Sequence, residues 1–270
     1  MPELPEVETT CRGLRPWLLQ QTVSEVIVRQ PKLRWPVASQ LGDLVGARVE
    51  SLERRAKYLL FTTSKGRFLM HLGMSGSLRI EHHIPQRLHD HIVMRFGEIE
   101  PVYMAYHDPR RFGCCLWLPP DAAHPLLTGL GPEPLEEEFT ADYLFATTRQ
   151  KSTPIKQHIM QSKIVVGVGN IYAAESLFHA GIRPRRAARC LRKKDCERLV
   201  EAIRRTLSQA IEMGGTTLRD FVNSDGNPGY FAQTLMVYGR AGEPCRHCKR
   251  TIKKYTLGQR SSFYCPHCQR

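Results

Sequence analysis

Two groups of residues in this chain have the types and spacing to do chemistry. One is a quartet of cysteines, Cys245-x2-Cys248-x16-Cys265-x2-Cys268. Two Cys-x-x-Cys knuckles each present a pair of thiolates, and together they complete a zinc tetrahedron with no open position. A closed site of this kind is structural, so one structural zinc ion is expected. Cys11, Cys114, Cys115, Cys190 and Cys196 lack a partner spacing and are expected in cores.

The second group is the start, Met-Pro-Glu. Small Pro2 lets Met1 be removed, exposing a secondary amine. An α-amino group has a pKa near about 8, roughly two units below lysine, so more of it is neutral and nucleophilic at pH 7. A secondary amine can form only a cationic iminium with an aldehyde carbon. That cation is an electron sink that acidifies the neighbouring C–H, which suits elimination at a sugar C1′. Glu3 stands beside it as a candidate proton donor and acceptor.

Other residues have the chemistry of phosphate contacts. In the turn VGVGN, glycines allow close backbone approach, and Asn170 opens a helix whose free N–H groups can meet an anion. Lys253, Lys254, Arg260, Ser261, Ser262 and Tyr264, between the cysteine pairs, form a basic ribbon with hydroxyl donors. His89-Asp90-His91 is a polar cluster at a strand end, near phosphate, rather than an open metal site.

These residues need elements to hold them. Val7, Cys11, Leu14 and Leu18 recur at helical spacing, predicting a helix from Pro5 to about residue 20 with Glu3, Glu6 and Glu8 at its start. Short alternating runs from about residue 22 to 118, separated by Gly or Pro, predict an antiparallel sandwich or barrel. Residues 127–140 have the composition of a connector. Thr153-Pro154 predicts a cap and a first-turn proline for a helix to about Ser162. IYAAESLFHA predicts a second helix closed by Gly181, and Leu199, Ile203, Leu207 and Ile211 lie on a longer one that stops at Gly214-Gly215. The tail from about residue 235 is a hairpin-like ribbon around the cysteines.

The totals narrow the class. Over 270 residues, 39 Lys and Arg face 26 Asp and Glu, a net charge of +13 that attracts polyanions such as nucleic acid. No window approaches the roughly 18 apolar residues of a membrane span. The acidic, proline-broken start is no signal peptide, so an intracellular protein with reduced or metal-bound cysteines is expected.

PELPEVE at the start resembles the signature of the formamidopyrimidine-DNA glycosylase family. So do RRAKYLL, HLGMSGSLR, DPRRFG, LGPEPL, VGVGNIYAAE, SDGNPGYFAQ and the terminal QRSSFYCPHCQ, in order over nearly the whole chain. The resemblance implies an α+β fold: an N-terminal antiparallel β-sandwich flanked by helices, then a helical helix–two-turn–helix domain with a four-cysteine zinc ribbon. The expected domains are 1–130, 131–234 and 235–270. The implied activity is a bifunctional glycosylase and AP lyase acting on 8-oxoguanine and formamidopyrimidines in duplex DNA. A cytoplasmic, nucleoid-associated bacterial monomer is expected, needing no nucleotide cofactor.

The family's roles carry over residue by residue. Pro2 matches the amine that attacks C1′, Glu3 the catalytic glutamate and Glu6 a second essential glutamate. Lys57, which reads by itself as a strand lysine, matches a phosphate-contacting lysine, and Asn170 and Arg260 match phosphate ligands. Met74, Arg110 and Phe112 match the wedge that fills the gap left by a flipped nucleotide, with Arg111 alongside and His91 near phosphate. Residues 216–231 resemble the loop that closes over the damaged base. Two departures stand out: Arg219 where lysine occurs in some members, and Lys249 where glycine is usual after the second cysteine.

Three other readings compete. A non-catalytic zinc-ribbon DNA-binding protein would have no use for Pro2, Glu3 and Glu6. An endonuclease VIII-type oxidised-pyrimidine glycosylase typically has Gly after the first Glu, where this chain has Leu4. A metal-dependent nuclease needs an open metal site, and the four cysteines make a closed one.

Overall fold

The computed structural model describes residues 2–119, 124–216 and 230–270. The chain divides into two compact units, Met1–Thr128 with Met213–Tyr230, and Gly129–Glu212 with Phe231–Arg270.

The first unit opens with helix α1 (Leu4–Leu18), slightly shorter than its apolar spacing predicts. Its buried face, Val7, Cys11, Leu14 and Leu18, packs on the strands. Eight strands follow: β1 (Val23–Val28), β2 (Val49–Arg55), β3 (Tyr58–Thr63), β4 (Gly66–His71), β5 (Ser77–Glu81), β6 (Asp90–Phe96), β7 (Val102–His107) and β8 (Cys114–Leu118). They form two antiparallel sheets ordered β1-β6-β7-β5 and β2-β3-β4-β8, the expected sandwich. Strand β3 shows why: Leu59, Phe61 and Thr63 alternate inward at the period of two that half-buries a strand. Phe61 pairs with Phe68 across the ladder, their rings stacked at 4.5 Å.

The second unit is helical, with α2 (Ala141–Thr148), α3 (Ile155–Ile159), α4 (Asn170–His179) and α5 (Lys193–Glu212), then β9 (Lys253–Leu257) paired with β10 (Arg260–Tyr264). Helix α2 has no counterpart in the sequence reading, although Thr140 caps it through a hydrogen bond from the Tyr143 N–H at 3.0 Å. Helix α3 is shorter than expected: Pro154 is its cap residue rather than its first helical residue, and the helix ends at Ile159. Cys190 also departs from expectation. It is exposed, whereas Cys11, Cys114, Cys115 and Cys196 are buried. No helix among the described residues is long and apolar enough to cross a membrane.

Candidate active site and nucleic-acid interface

The N-terminal motif sits at the mouth of α1. Glu3 is its cap residue, in extended conformation, and Glu6 is at the third helical position. Both are 2% exposed. The Glu3 N–H donates to Glu6 Oε2 at 2.7 Å, one half of a reciprocal capping box. Glu6 Oε1 accepts the Thr216 N–H at 2.8 Å. Each oxygen of Glu6 therefore meets a backbone donor, in the first turn where the helix dipole favours a carboxylate.

Two residues on, Glu8 accepts from Arg54 Nε at 2.8 Å and from Arg12 Nε at 2.7 Å. Burial works against its ionised form, yet these arginines hold its pKa below the ordinary value. Arg54 also donates to the Ala56 carbonyl at 3.1 Å. It thus ties α1 to the tight turn in which Lys57 lies. Lys57 is not a strand residue. Arg55 pairs with Tyr58, and Ala56 takes a positive φ of 55° to close the turn.

The wedge residues come from two loops of this unit. Met74 is 41% and Phe112 50% exposed, so neither belongs to the core. With Arg34, His71 and Gly73 they line an open depression of about 430 Å³. Arg110 Nε donates to Ser75 Oγ at 3.0 Å, joining the loops at their tips. At their base lies Asp108, fully buried. Its Oδ2 accepts the Gly113 N–H at 2.8 Å, and its carbonyl accepts the Arg111 N–H at 3.1 Å. Arg111 adopts φ 55° there. The Tyr106 hydroxyl lies 3.1 Å from the His71 carbonyl and 3.2 Å from Asp108 Oδ2, so its one proton is shared between the loops.

Only glycine fits this junction. A Cβ on Gly113 would lie 1.8 Å from the Tyr106 hydroxyl, and one on Gly73 2.5 Å from the Gly113 nitrogen.

Sequence reasoning missed His71, Tyr106 and Asp108. The His71 Nδ1 accepts the Gly73 N–H at 3.0 Å, and burial, then Lys57 and Arg34, push its pKa down to about 4. The ring is therefore neutral and an acceptor beside Met74. The motifs HLGMSG and DPRRFG contain or adjoin these residues, but only packing shows that the three meet.

His91 is buried against this scaffold, its Nε2 2.9 Å from the Asp108 carbonyl, and burial lowers its pKa. Asp90 is engaged by Arg79 at 3.0 Å and by His107 at 3.0 Å. Asp90 and His91, at the start of β6, are thus engaged inside the protein, while His89 before them is half-buried.

In the second unit, Asn170 begins α4. Its Nδ2 lies 3.4 Å from the Tyr238 hydroxyl, and its buried Oδ1 has no hydrogen-bond partner among the described residues. Glu175 on the same helix is buried and accepts the N–H groups of Met236, Val237 and Tyr238 at 2.7, 3.0 and 2.8 Å. Burial raises its pKa although those three donors pull it down. The helix thereby clamps the segment that carries Tyr238.

Arg260 opens β10 and lines a depression with Lys156, Gln157, Met160, Leu257 and Gly258. Lys156 is 1% exposed, and its Nζ donates to the Ser261 carbonyl and to Ser262 Oγ, both at 2.9 Å. It pins the hairpin next to Arg260. Ser262 is thus fully buried and engaged inside the protein, contrary to its expected place among the phosphate donors.

The four cysteine sulfurs, like all candidate ligand atoms of this group, lie within 4.8 Å of one another. Cys248 Sγ is 3.4 Å from Cys265 Sγ, and Cys245 Sγ is 4.0 Å from Cys268 Sγ. Tetrahedral thiolates at about 2.3 Å from zinc stand about 3.8 Å apart, so the quartet fits the ion. These residues hold one structural zinc, which closes the ribbon and leaves no coordination position for substrate. Lys249, in place of the usual glycine, takes φ 64° in the first knuckle. Arg219 and most of the segment resembling the lid lie outside the described residues.

The first unit is thus a β-sandwich with buried carboxylates at its N-terminal helix, and the second is helical and carries a four-cysteine ribbon. Family models match in the same order: the formamidopyrimidine-DNA glycosylase N-terminal domain over residues 1–115, the corresponding H2TH domain over 130–222, and the zinc finger found in FPG and IleRS over 242–270. The formamidopyrimidine-DNA glycosylase of Marinobacter nauticus is 54% identical over 272 residues, covering 100% of both chains. That of Actinobacillus pleuropneumoniae serotype 7 is 52% identical over 273 residues, covering 100% of this chain and 98% of the relative. The crystal structure of MutM (FPG) from Thermus thermophilus superposes with a TM-score of 0.86 at 39% identity, covering 99% of this chain and 98% of that one. The Lactococcus lactis Fpg in complex with abasic-site DNA superposes with a TM-score of 0.91 at 32% identity, covering 99% of each chain. The chain belongs to the formamidopyrimidine-DNA glycosylase family.

Proposed function

We propose that this chain excises 8-oxoguanine and formamidopyrimidines from duplex DNA and cleaves the strand at the resulting abasic site, with Pro2 as nucleophile. The observation that carries the reading is the pair of buried carboxylates, Glu3 and Glu6, at the helix mouth next to Pro2. The solved relatives supply the substrate class: the Lactococcus lactis enzyme is seen with abasic-site DNA and with DNA containing N7-benzyl-Fapy-dG.

The steps follow from the groups. Basic residues draw the duplex in by displacing counterions, so binding weakens steeply with salt. Met74, Arg110 and Phe112 enter the stack as the lesion flips, with Arg110 facing the orphaned cytosine and Arg111 alongside. Lys57, Asn170, Arg260 and His91 serve the backbone around the lesion, and Arg219 the damaged base. With Met1 removed, the Pro2 nitrogen attacks C1′. The N-glycosidic bond breaks, and its electron pair leaves with the base. Glu3 moves protons as the sugar opens. The C1′–O4′ bond opens, its electrons go to O4′ with a proton, and the amine lone pair forms the C1′=N iminium. Loss of the C2′ proton lets the C2′–H electrons form the C2′=C3′ double bond while the C3′–O electrons leave with the 3′ phosphate. Loss of the C4′ proton then expels the 5′ phosphate with its C5′–O electrons. Water hydrolyses the iminium and frees the amine. In this reading residues 1–130 form the catalytic β-sandwich, 131–234 the helix–two-turn–helix DNA-binding domain with the lesion lid, and 235–270 the zinc ribbon. The protein works in the cytoplasm on the bacterial nucleoid.

The test is borohydride trapping on a duplex with 8-oxoguanine opposite cytosine. A covalent adduct is expected from the wild type and a sharply reduced one from Pro2→Gly. No adduct on this duplex or on abasic DNA, from protein with Met1 confirmed removed, overturns the catalytic reading.

A further inference from the structure

Residues 183–198 hold eight Lys and Arg against Asp195 and Glu197, so six of the chain's thirteen excess positive charges lie in sixteen residues. None of them belongs to the lesion-binding set described above. Six of the eight are arginines, whose planar forks match phosphate oxygens two at a time.

The structure organises this segment around one carboxylate. Asp195 is 1% exposed and is shared by Arg186 at 3.1 Å, Arg192 at 3.6 Å and Arg198 at 2.7 Å. Lys193 is taken by Asp142 at 2.6 Å. Among the described residues, Arg189 and Lys194 make no ion pair with a carboxylate, and both are exposed. The Ala188 and Arg189 N–H groups donate to the carbonyls of Thr153 and Lys151, both at 2.9 Å, which adds exposed Lys151 to the same face. Three arginines share the single carboxylate of Asp195, so the segment keeps an excess of positive charge that a polyanion can compensate.

We propose that residues 183–198, with Lys151, form a second surface for the backbone of duplex DNA, gripping phosphates other than those of the lesion site. The inference rests on the glycosylase reading: a chain held on duplex DNA meets neighbouring phosphates at high effective concentration. That favours a nucleic acid over an acidic protein segment as the occupant. The surface contributes to binding of any sequence, damaged or not, and leaves the chemical step alone.

The test replaces three exposed cations whose loss leaves Arg186 and Arg198 on Asp195. The variant Arg189→Ser/Arg192→Ser/Lys194→Ser is compared with wild type on undamaged duplex across a salt series. Each lost phosphate contact lowers the slope of log affinity against log salt by about 0.9, so a decrease of about two to three is expected. Single-turnover excision at saturating enzyme is expected to match wild type. The variant with lysine at 189 and 192 and Lys194 retained should keep the full slope. An unchanged slope for the serine variant overturns the proposal, as does a lysine variant that behaves like it. An unchanged DNA slope with salt-sensitive binding of polyglutamate by wild type alone assigns the surface to an acidic protein instead, and equally overturns it. Failure of the glycosylase reading looks different: no borohydride adduct from any variant, whatever the slope.

Discussion

Glu6 and Thr216, 210 residues apart in sequence, meet through a hydrogen bond of 2.8 Å from the Thr216 N–H to Glu6 Oε1. The other oxygen of Glu6 holds the Glu3 N–H at 2.7 Å. One buried carboxylate thus fixes both the helix mouth beside Pro2 and the backbone that leads into the segment resembling the lid.

Replacing Glu6 with Gln keeps the size but turns an acceptor into a donor facing an N–H. A buried unsatisfied group costs about 1–3 kcal/mol, and that loss is expected in thermal unfolding. Misplacing the catalytic groups by about 1 Å costs about 10²-fold, the fall expected in single-turnover excision. Wild-type excision by Glu6→Gln would show that the carboxylate positions nothing.

The junction of the wedge loops makes a second prediction. Gly113→Ala drives a methyl group into the Tyr106 hydroxyl and the His71 carbonyl, so the loops must separate. Excision of 8-oxoguanine opposite cytosine should collapse, with zinc content unchanged. Tyr106→Phe removes only the shared proton and should cost about 0.5–1.5 kcal/mol. A Gly113→Ala enzyme that distinguishes the opposite base as wild type does would refute the coupling.

Acid should weaken the first unit through His71. Its folded pKa of about 4 lies below the ordinary 6.5, because burial and the nearby Lys57 and Arg34 disfavour the cation. Between those values the unfolded state binds the extra proton. The stability contributed by the neutral ring is therefore complete above about 6.5 and is lost as pH falls towards 4. His71→Gln, which retains an acceptor for the Gly73 N–H, should flatten this part of the stability profile. Histidine NMR titration gives the pKa directly.

Zinc removal should act through the ribbon. The protein as purified should carry one equivalent of zinc, and a strong chelator should release it with loss of β9–β10 pairing and of DNA binding. Zinc needs thiolates, so acid should favour release. Full DNA affinity after verified zinc loss would show that the ribbon does not depend on its metal.

Much of this molecule was legible in the order of its residues. The cysteine spacing announced the zinc ligands, the period of two in β3 announced a half-buried strand, and the 3.6-residue spacing of Val7, Cys11, Leu14 and Leu18 announced α1. Such signals are local, because helix and strand periods repeat within a few residues and a knuckle needs only two cysteines three apart. Helix α2 was hidden because the Gly, Pro and acidic composition of residues 127–140 reads as a connector, and the cap at Thr140 shows only in the structure.

What lay beyond the sequence depends on burial and long-range pairing. The residues of α3 do not reveal that Lys156 is fully enclosed, since a lysine is buried only where acceptors surround it, here the Ser261 carbonyl and Ser262 Oγ. Nor does the run RRAKYLL reveal that Lys57 sits in a turn, because Ala56 takes a positive φ that only the β2–β3 register imposes. The residue types at the site were set by the sequence alone. Which of them meet, Glu6 with Thr216 or Tyr106 with both wedge loops, was decided by tertiary packing, because a hydrogen bond across tens of residues exists only once the core has brought its partners together.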